Sequence, residues 1–147
     1  MDSIIKELTN KDDKKAYART KEIVAESELS PKYYSSIELF ASLLDDKKSY
    51  IRTRAFILCC SQARWDDKGK LKQMLPALMA LFHDAKPTVV RQCLNAAKEI
   101  VVFRPELSET INAELNRIDI DGYNDSIVEL IRADIASLKE LISEVAH

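Results

Sequence analysis

The sequence contains few of the residues that build tight turns or reactive sites. Among its 147 residues are only 2 glycines and 4 prolines, and it has neither a GxGxxG nor a P-loop pattern. This scarcity argues against a β-rich fold and against glycine-rich phosphate loops. Only His83 and His147 could serve as a histidine base beside a nucleophile, and no C-x-x-C or H-x-x-x-H pair supplies zinc-ligand spacing. We therefore expect no catalytic site, no cofactor and no metal.

Cysteines and long apolar runs are also scarce. The only cysteines are Cys59, Cys60 and Cys93, and a disulfide between the two neighbours would be strained. Helical positions predict buried, reduced thiols, with Cys60 the more exposed of the three. The start Met1-Asp2-Ser3 does not resemble a secretory signal, and no apolar run approaches the ~20 residues that span a bilayer. These features predict a cytoplasmic protein.

The overall composition fits one folded domain. Apolar residues make up 46% and charged residues 31% of a chain whose net charge is −2. This length supports a core without disulfides or metal. The chain as a whole is not a basic nucleic-acid binder, although a local basic patch remains open.

A segment occurs twice, 39 residues apart. Asp45, Ile51 and Arg52 of the first copy correspond to Asp84, Val90 and Arg91 of the second. A fixed period of this length, within apolar residues at helical spacing, is typical of stacked helix pairs.

The second copy resembles a HEAT repeat of the armadillo-type superfamily. Those repeats have a proline that bends the first helix, an aspartate at the turn and a Val-Arg pair early in the second helix, which Pro76, Asp84 and Val90-Arg91 match. The first copy has Ile37 in place of the proline, and the resemblance covers roughly residues 35–103. It implies an all-α fold, a short right-handed α-solenoid of about three stacked HEAT-like helix pairs. It also implies a structural ladder formed by Asp45, Arg52, Asp84 and Arg91.

The expected organisation is a single HEAT-like helical-repeat domain over residues 1–147. An N-terminal cap pair spans 1–29, two repeats span 30–65 and 66–104, and a C-terminal cap pair spans 105–147. Ser30-Pro31 is typical of a helix start. Asp121-Gly122 predicts a turn, and Ser126 with Glu129 has capping-box spacing at the start of the last helix.

The last helix has an apolar seam with steps of four and three residues. Ile131, Ile135, Leu138, Ile142 and Val145 form this seam. It could cover the last repeat or pair with a second copy, so the sequence leaves open a monomer or a homodimer through the C-terminal helix. We favour intramolecular capping, because the last repeat of a stack needs a cover.

The second helices carry the candidate partner-binding residues. Under the solenoid interpretation these helices line the concave face, and the candidates there are Arg52, Arg54, Arg64, Trp65, Arg91 and Lys98. Arginine and tryptophan are enriched where partners bind. The favoured function is a non-catalytic protein–protein interaction module or scaffold whose partner is a protein or peptide. Whether Arg52 and Arg91 are ladder or binding residues stays open.

Two other functions are weighed against this one. A nucleic-acid binder would add Lys68, Lys70 and Lys72 to the arginines, and would need them on one face without neutralisation by Glu22, Glu26 and Glu99. An enzyme resembling DNA glycosylases would use Trp65 and Asp66. Their position at a connection between helices instead favours packing or capping.

Overall fold

A computed structural model describes residues 2–146, so His147 lies outside the described residues. Within that range all regular structure is helical, as the sequence predicts, and no strand occurs. The nine α-helices are α1 (Asp2–Leu8), α2 (Asp13–Ser27), α3 (Ile37–Ala41), α4 (Ser49–Cys60), α5 (Lys70–Met79), α6 (Pro87–Ala96), α7 (Lys98–Phe103), α8 (Ser108–Leu115) and α9 (Asp125–Val145). Short 3-10 helices cover Tyr34–Ser36, Ala63–Trp65, Ala80–His83 and Pro105–Leu107. No helix in residues 2–146 has both the length and the apolar composition needed to cross a membrane.

Four helices lie side by side in a row. α4 contacts both α2 and α6, and α6 contacts α9. A second set of elements covers one side of this row: α3 contacts α4, the 3-10 helix Ala80–His83 contacts α6, and α8 contacts α9. The apolar core therefore lies between the row and its covering elements.

α4 is the most enclosed member of the row. Ile51, Ala55, Leu58 and Cys59, which the helical period predicts to point inward, are all buried. Because neighbours flank α4 on both sides, burial also extends to Phe56, whose ring centroid lies 6.1 Å from that of Phe82. α4 therefore buries residues on more than one face.

The helix starts reveal a register that differs from the sequence repeat. α4 begins at position 49 and α6 at position 87, which are 38 residues apart. A residue that the 39-residue match pairs with one in α4 therefore lies one position later in α6, which is about 100° around the helix axis. Arg52 and Arg91 consequently do not point in equivalent directions: Arg52 contacts Asp84 in the turn before α6, and Arg91 contacts Asp134 on α9.

Two helix starts differ from the expected positions. The Oγ of Ser30 accepts the Lys32 N–H at 3.2 Å, which stabilises a local turn, and helical structure starts only at Tyr34–Ser36. α9 has Asn124 as its N-cap residue and no side-chain capping bond, so the Ser126–Glu129 capping box does not form. The predicted Asp121-Gly122 turn is present, with Gly122 at a φ of 92° that favours glycine.

The seam of α9 faces the chain's own core. Ile131 and Leu138 are fully buried, and Ile135, Ile142 and Val145 pack partly against the core. α9 contacts α6, α7 and α8 with this side. The capping role expected for the last helix pair agrees with these contacts.

Asp66 holds the start of α5 in place. Its carboxylate is buried and accepts the N–H groups of Lys70 at 2.8 Å and Leu71 at 3.0 Å. The Tyr34 hydroxyl donates to the same carboxylate at 2.5 Å. Burial, followed by this hydrogen bond, raises the pKa of Tyr34. Asp66 is therefore occupied by capping, as its position at a helix connection suggests, and Trp65 beside it packs against the core.

We expect Asp66→Ala to destabilise the fold by about 2–4 kcal/mol, because it removes a helix cap and leaves the buried Tyr34 hydroxyl without an acceptor. Urea unfolding followed by circular dichroism measures this loss. Asp67→Ala is the matched control, since Asp67 is an exposed acid one position later, and we expect a change within about 0.5 kcal/mol. Equal effects of the two substitutions would contradict the capping role.

Candidate partner-binding groove

A groove of about 480 Å³ runs along the side of the helix row that the second set of elements leaves uncovered. α2, α4, α6 and α9 all contribute to it, and partly buried Val24, Ile57 and Ala96 supply apolar lining. Its polar lining consists of Glu28, Ser61, Arg64, Arg91, Gln92, Asn95, Glu99 and Asp134. We call this surface the groove face. It combines an apolar floor with a charged and amide-bearing rim.

A smaller cleft of about 260 Å³ continues the groove toward the starts of α4 and α6. The two depressions share Ile57 and Gln92. The remaining lining of this cleft is rich in hydroxyl and aromatic groups: Tyr17, Thr20, Ser49, Tyr50, Thr53, Arg54, Thr88 and Val89. We call it the tyrosine cleft.

The described residues include five exposed large apolar side chains, of which two line the tyrosine cleft and three lie close in sequence to groove residues. They are Tyr17, Leu29, Tyr50, Val102 and Leu130. Tyr17 and Tyr50 line the tyrosine cleft. Leu29 follows the groove residue Glu28, Val102 lies about one helical turn after Glu99, and Leu130 lies one turn before Asp134. Among the described residues, α3, α5 and α8 on the covering side carry no such side chain.

Arg91 lies in the groove and pairs with α9. Its Nε and Nη2 donate to the Asp134 carboxylate at 2.7 and 3.3 Å. This hydrogen bonding raises the pKa of Arg91. Asp134 could not be predicted as this partner, because the last helix pair lacks the repeated aspartate. Arg91 both joins α6 to α9 and borders the groove.

Arg52 lies away from the groove, at the turns between helices. It donates from Nε and Nη2 to the Asp84 carboxylate at 2.9 and 3.1 Å, and from Nη1 to the Asp46 carbonyl at 2.9 Å. Asp46 accepts the Lys48 N–H at 2.9 Å, as Asp84 accepts the Lys86 N–H at 3.0 Å. Asp45, the residue expected at this position of the ladder, is exposed; the one-residue shift in register places Asp46 there instead.

Arg54 is almost fully buried, with 7% of its surface exposed. Its Nη2 donates to the Asp13 carboxylate at 2.5 Å, and its guanidinium lies 5.1 Å from the centre of the Tyr50 ring. Arg54 lines the tyrosine cleft, whereas the exposed face expected from the sequence would leave it free in solvent. Helical periodicity does not reveal this burial, because α2, the neighbouring helix that supplies Asp13, lies outside the repeat.

Arg64 borders the other end of the groove. It lies over the Phe103 ring at 4.5 Å, donates to the Glu28 carbonyl at 3.1 Å, and approaches the Glu99 carboxylate at 3.7 Å. Trp65 lies in a separate shallow depression with Lys68 and Arg104, and its Nε1 donates to the Ser27 carbonyl at 2.6 Å. These contacts hold the connection after α4 against the end of α2.

Lys98 lies apart from the arginines, in a small depression beside Glu140 and Glu144 on α9. Lys70 pairs with Glu38 at 2.9 Å. The structure thus brings Arg64 and Arg91 into the groove and Arg54 into the adjoining cleft, and it distributes Arg52, Trp65 and Lys98 elsewhere.

The thiols and His83 do not form a reactive site. Burial raises the pKa of Cys59 to about 12, and it also raises the pKa values of Cys60 and Cys93. Cys60, expected to be the more exposed thiol, is 1% exposed because α4 is enclosed on both sides. His83 contacts Glu114 at 2.6 Å instead of a cysteine. No cluster of three or more metal-ligating side chains occurs in residues 2–146.

Comparison with known protein families, with curated proteins and with solved structures finds no match to this chain. The likeness to HEAT repeats therefore depends on the sequence motif alone.

We expect Arg52→Gln to cost about 3 kcal/mol of unfolding free energy, because it strands the Asp84 carboxylate, whose side chain is only 7% exposed. Arg91→Gln is the matched comparison, and its loss should be clearly smaller since Asp134 is 24% exposed and remains solvated. Chemical denaturation of both variants measures the difference. An equal or larger loss for Arg91→Gln would contradict the conclusion that the Arg52–Asp84 pair contributes more to stability because it is more buried.

We also expect the native protein to resist thiol reagents at pH 8. Burial disfavours the thiolate, so the raised pKa values leave little of the reactive form at that pH, and the side chains are shielded from the reagent. Spectrophotometric titration with an aromatic disulfide should detect three thiols in denaturant and almost none at early times in buffer. Rapid labelling of one native thiol would disprove the enclosed position of its helix.

Proposed function

We propose that this chain is a non-catalytic interaction module that binds a peptide segment of a partner protein along the groove face. The observation that carries the proposal is where the exposed large apolar side chains lie: Tyr17 and Tyr50 line the tyrosine cleft, the other three lie within about one helical turn of groove residues in the sequence, and the described α3, α5 and α8 carry none. Clustered exposed apolar groups with a polar rim are typical of interaction surfaces.

The lining of the groove suits an extended peptide. Gln92 and Asn95 are exposed, and each amide offers a donor and an acceptor that can match the N–H and C=O groups of a peptide backbone. The apolar floor around Ile57 can receive a side chain of the bound segment. Such recognition needs neither cofactor nor catalytic residue.

We further propose that the helix pairs form a short right-handed α-solenoid of HEAT type, with the groove on its concave side. The contacts of α2 with α4, α4 with α6 and α6 with α9 support this arrangement, as do the covering contacts of α3 and α8. The inward-facing seam of α9 favours a monomer. Three buried thiols without a disulfide favour a reducing compartment such as the cytoplasm.

The charges favour a peptide over a nucleic acid. Arg54, Arg64 and Arg91 each lie near a carboxylate, at 2.5, 3.7 and 2.7 Å respectively. The groove also carries Glu28 and Glu99, which would repel a continuous phosphate backbone. Of the acids weighed in the sequence analysis, Glu99 lies near Arg64, whereas Asp13 and Asp134 supply the carboxylates near Arg54 and Arg91.

Selection from a peptide display library tests the proposed function. We expect enriched peptides to bind the unaltered chain and to lose at least ten-fold in affinity for Ile57→Glu, because the new carboxylate occupies the apolar floor. Ala77→Glu is the matched control, since Ala77 is exposed on α5, on the covering side. Isothermal titration calorimetry measures both affinities.

Thermal unfolding of Ile57→Glu and Ala77→Glu checks that both variants remain folded. Peptides that bind Ile57→Glu as tightly as the unaltered chain, or that lose affinity for Ala77→Glu, would place binding elsewhere and reject the groove.

A further inference from the structure

Cationic side chains gather around the tyrosine cleft. Lys21 lies 5.4 Å from the Tyr17 ring centre and Lys48 lies 5.9 Å from that of Tyr50. Lys86 donates to Ser49 at 3.2 Å, and Arg54 forms part of the wall of the cleft. Among the described residues, Asp13 is the carboxylate that pairs with one of these four cations. The lining of the cleft thus contains Arg54 and no carboxylate among the described residues, while Asp46 and Asp84 accept the Lys48 and Lys86 N–H groups beside it.

Arg54 adds a second, independent feature. Its Nη1 is buried and has no hydrogen-bond partner among residues 2–146, and only 7% of the surface of Arg54 is exposed. A buried donor without an acceptor costs free energy, which an oxyanion in the cleft would recover. Its partner Asp13 has a side chain that is 66% exposed, so the carboxylate can give way to a ligand while the guanidinium stays in place.

The helix starts supply further donors. α4 and α6 contain 12 and 10 residues, and neither has a side-chain bond from its N-cap residue, Lys48 or Lys86. The hydroxyl-bearing residues Ser49 and Thr88 stand at these starts and line the cleft. Ser49 and Tyr50 supply the free N–H groups of α4, whereas at α6 only Thr88 does, because Pro87 has no N–H and the Val89 N–H bonds the Lys86 carbonyl. The helix dipoles add to these donors in favouring an anion.

The opposite end of the groove limits what kind of anion fits. Glu28 and Glu99 outnumber Arg64 there. Arg54 and the groove residue Ser61 are seven positions apart, which is about two helical turns or about 10 Å, and this equals about three residues of extended peptide. A polyanion would thus meet repulsion within a short distance, whereas a single anionic group would not.

We propose that the tyrosine cleft binds one phosphoryl group carried by a side chain of the bound peptide segment, an inference that rests on the proposed function. A phosphoryl group has three acceptor oxygens and up to two negative charges, which match donors arriving from Arg54, the lysines and two helix starts. The acidic end of the groove then faces uncharged or basic residues of the same segment.

Inorganic phosphate is the first probe. In ¹H–¹⁵N spectra at pH 7 and constant ionic strength, we expect saturable shifts at the amides of Ser49, Tyr50 and Thr88 and at the Arg54 side chain, with chloride producing none. Lys48→Gln combined with Lys86→Gln should weaken phosphate binding at least ten-fold. The control, Lys68→Gln with Lys72→Gln, removes the same charge from exposed positions outside the cleft and should leave the affinity unchanged.

A phosphoserine peptide and its unphosphorylated form make the second arm, with peptides drawn from the display selection. We expect the phosphoryl group to strengthen binding at least ten-fold, and the Lys48/Lys86 double variant to abolish that gain. Absent or non-saturable phosphate shifts, or equal weakening by the control variant, would overturn the inference.

Two further outcomes separate this inference from the proposed function. If peptide affinity depends on Ile57 but changes neither with phosphorylation nor in the Lys48/Lys86 variant, the groove is supported and the phosphoryl site is rejected. A single-stranded oligonucleotide that binds more tightly than the phosphopeptide, with shifts reaching Glu28 and Glu99, would reject both in favour of nucleic-acid binding.

Discussion

The packing of α4 between α2 and α6 determines where the candidate binding residues lie. Ala55 and Cys59 are fully buried small residues, and small residues allow neighbouring helices to approach closely. With both flanks and the covered side enclosed, the narrow strip around Ile57 remains partly open. The groove is that strip together with the adjacent edges of α2, α6 and α9. Its floor is therefore a consequence of core packing, and the connections after α2 and α4 complete it with Glu28, Ser61 and Arg64.

Arginine has two distinct uses along this row of helices. The planar guanidinium can bond two oxygens at once, so Arg52 and Arg91 each connect one element to the next through a bidentate carboxylate contact. Arg64 instead covers an aromatic ring and a backbone carbonyl. The arginines that suggest a basic surface in the sequence therefore lie next to carboxylates in the structure. Lysines near the starts of α4 and α6 carry positive charge that is not paired in this way.

The sequence was sufficient for features that depend on local periodicity. Helical spacing correctly placed Ile51, Ala55 and Leu58 inside, and the turn at Gly122 followed from residue type. Features that depend on neighbours distant in sequence could not be predicted. Asp134 as the partner of Arg91, and the burial of Arg54 by α2, arise from contacts over 43 and 41 positions.

The long last helix has a consequence for how the chain reaches this structure. α9 contains 21 residues, about 31 Å of helix, and it contacts α6, α7 and α8 at once. The apolar sides of those three helices therefore lack their cover until residues 125–145 have been synthesised. At that stage the nascent chain exposes apolar surface in its last-synthesised helices. Such surface favours chaperone binding and aggregation. Docking of α9 covers the apolar surfaces of all three helices.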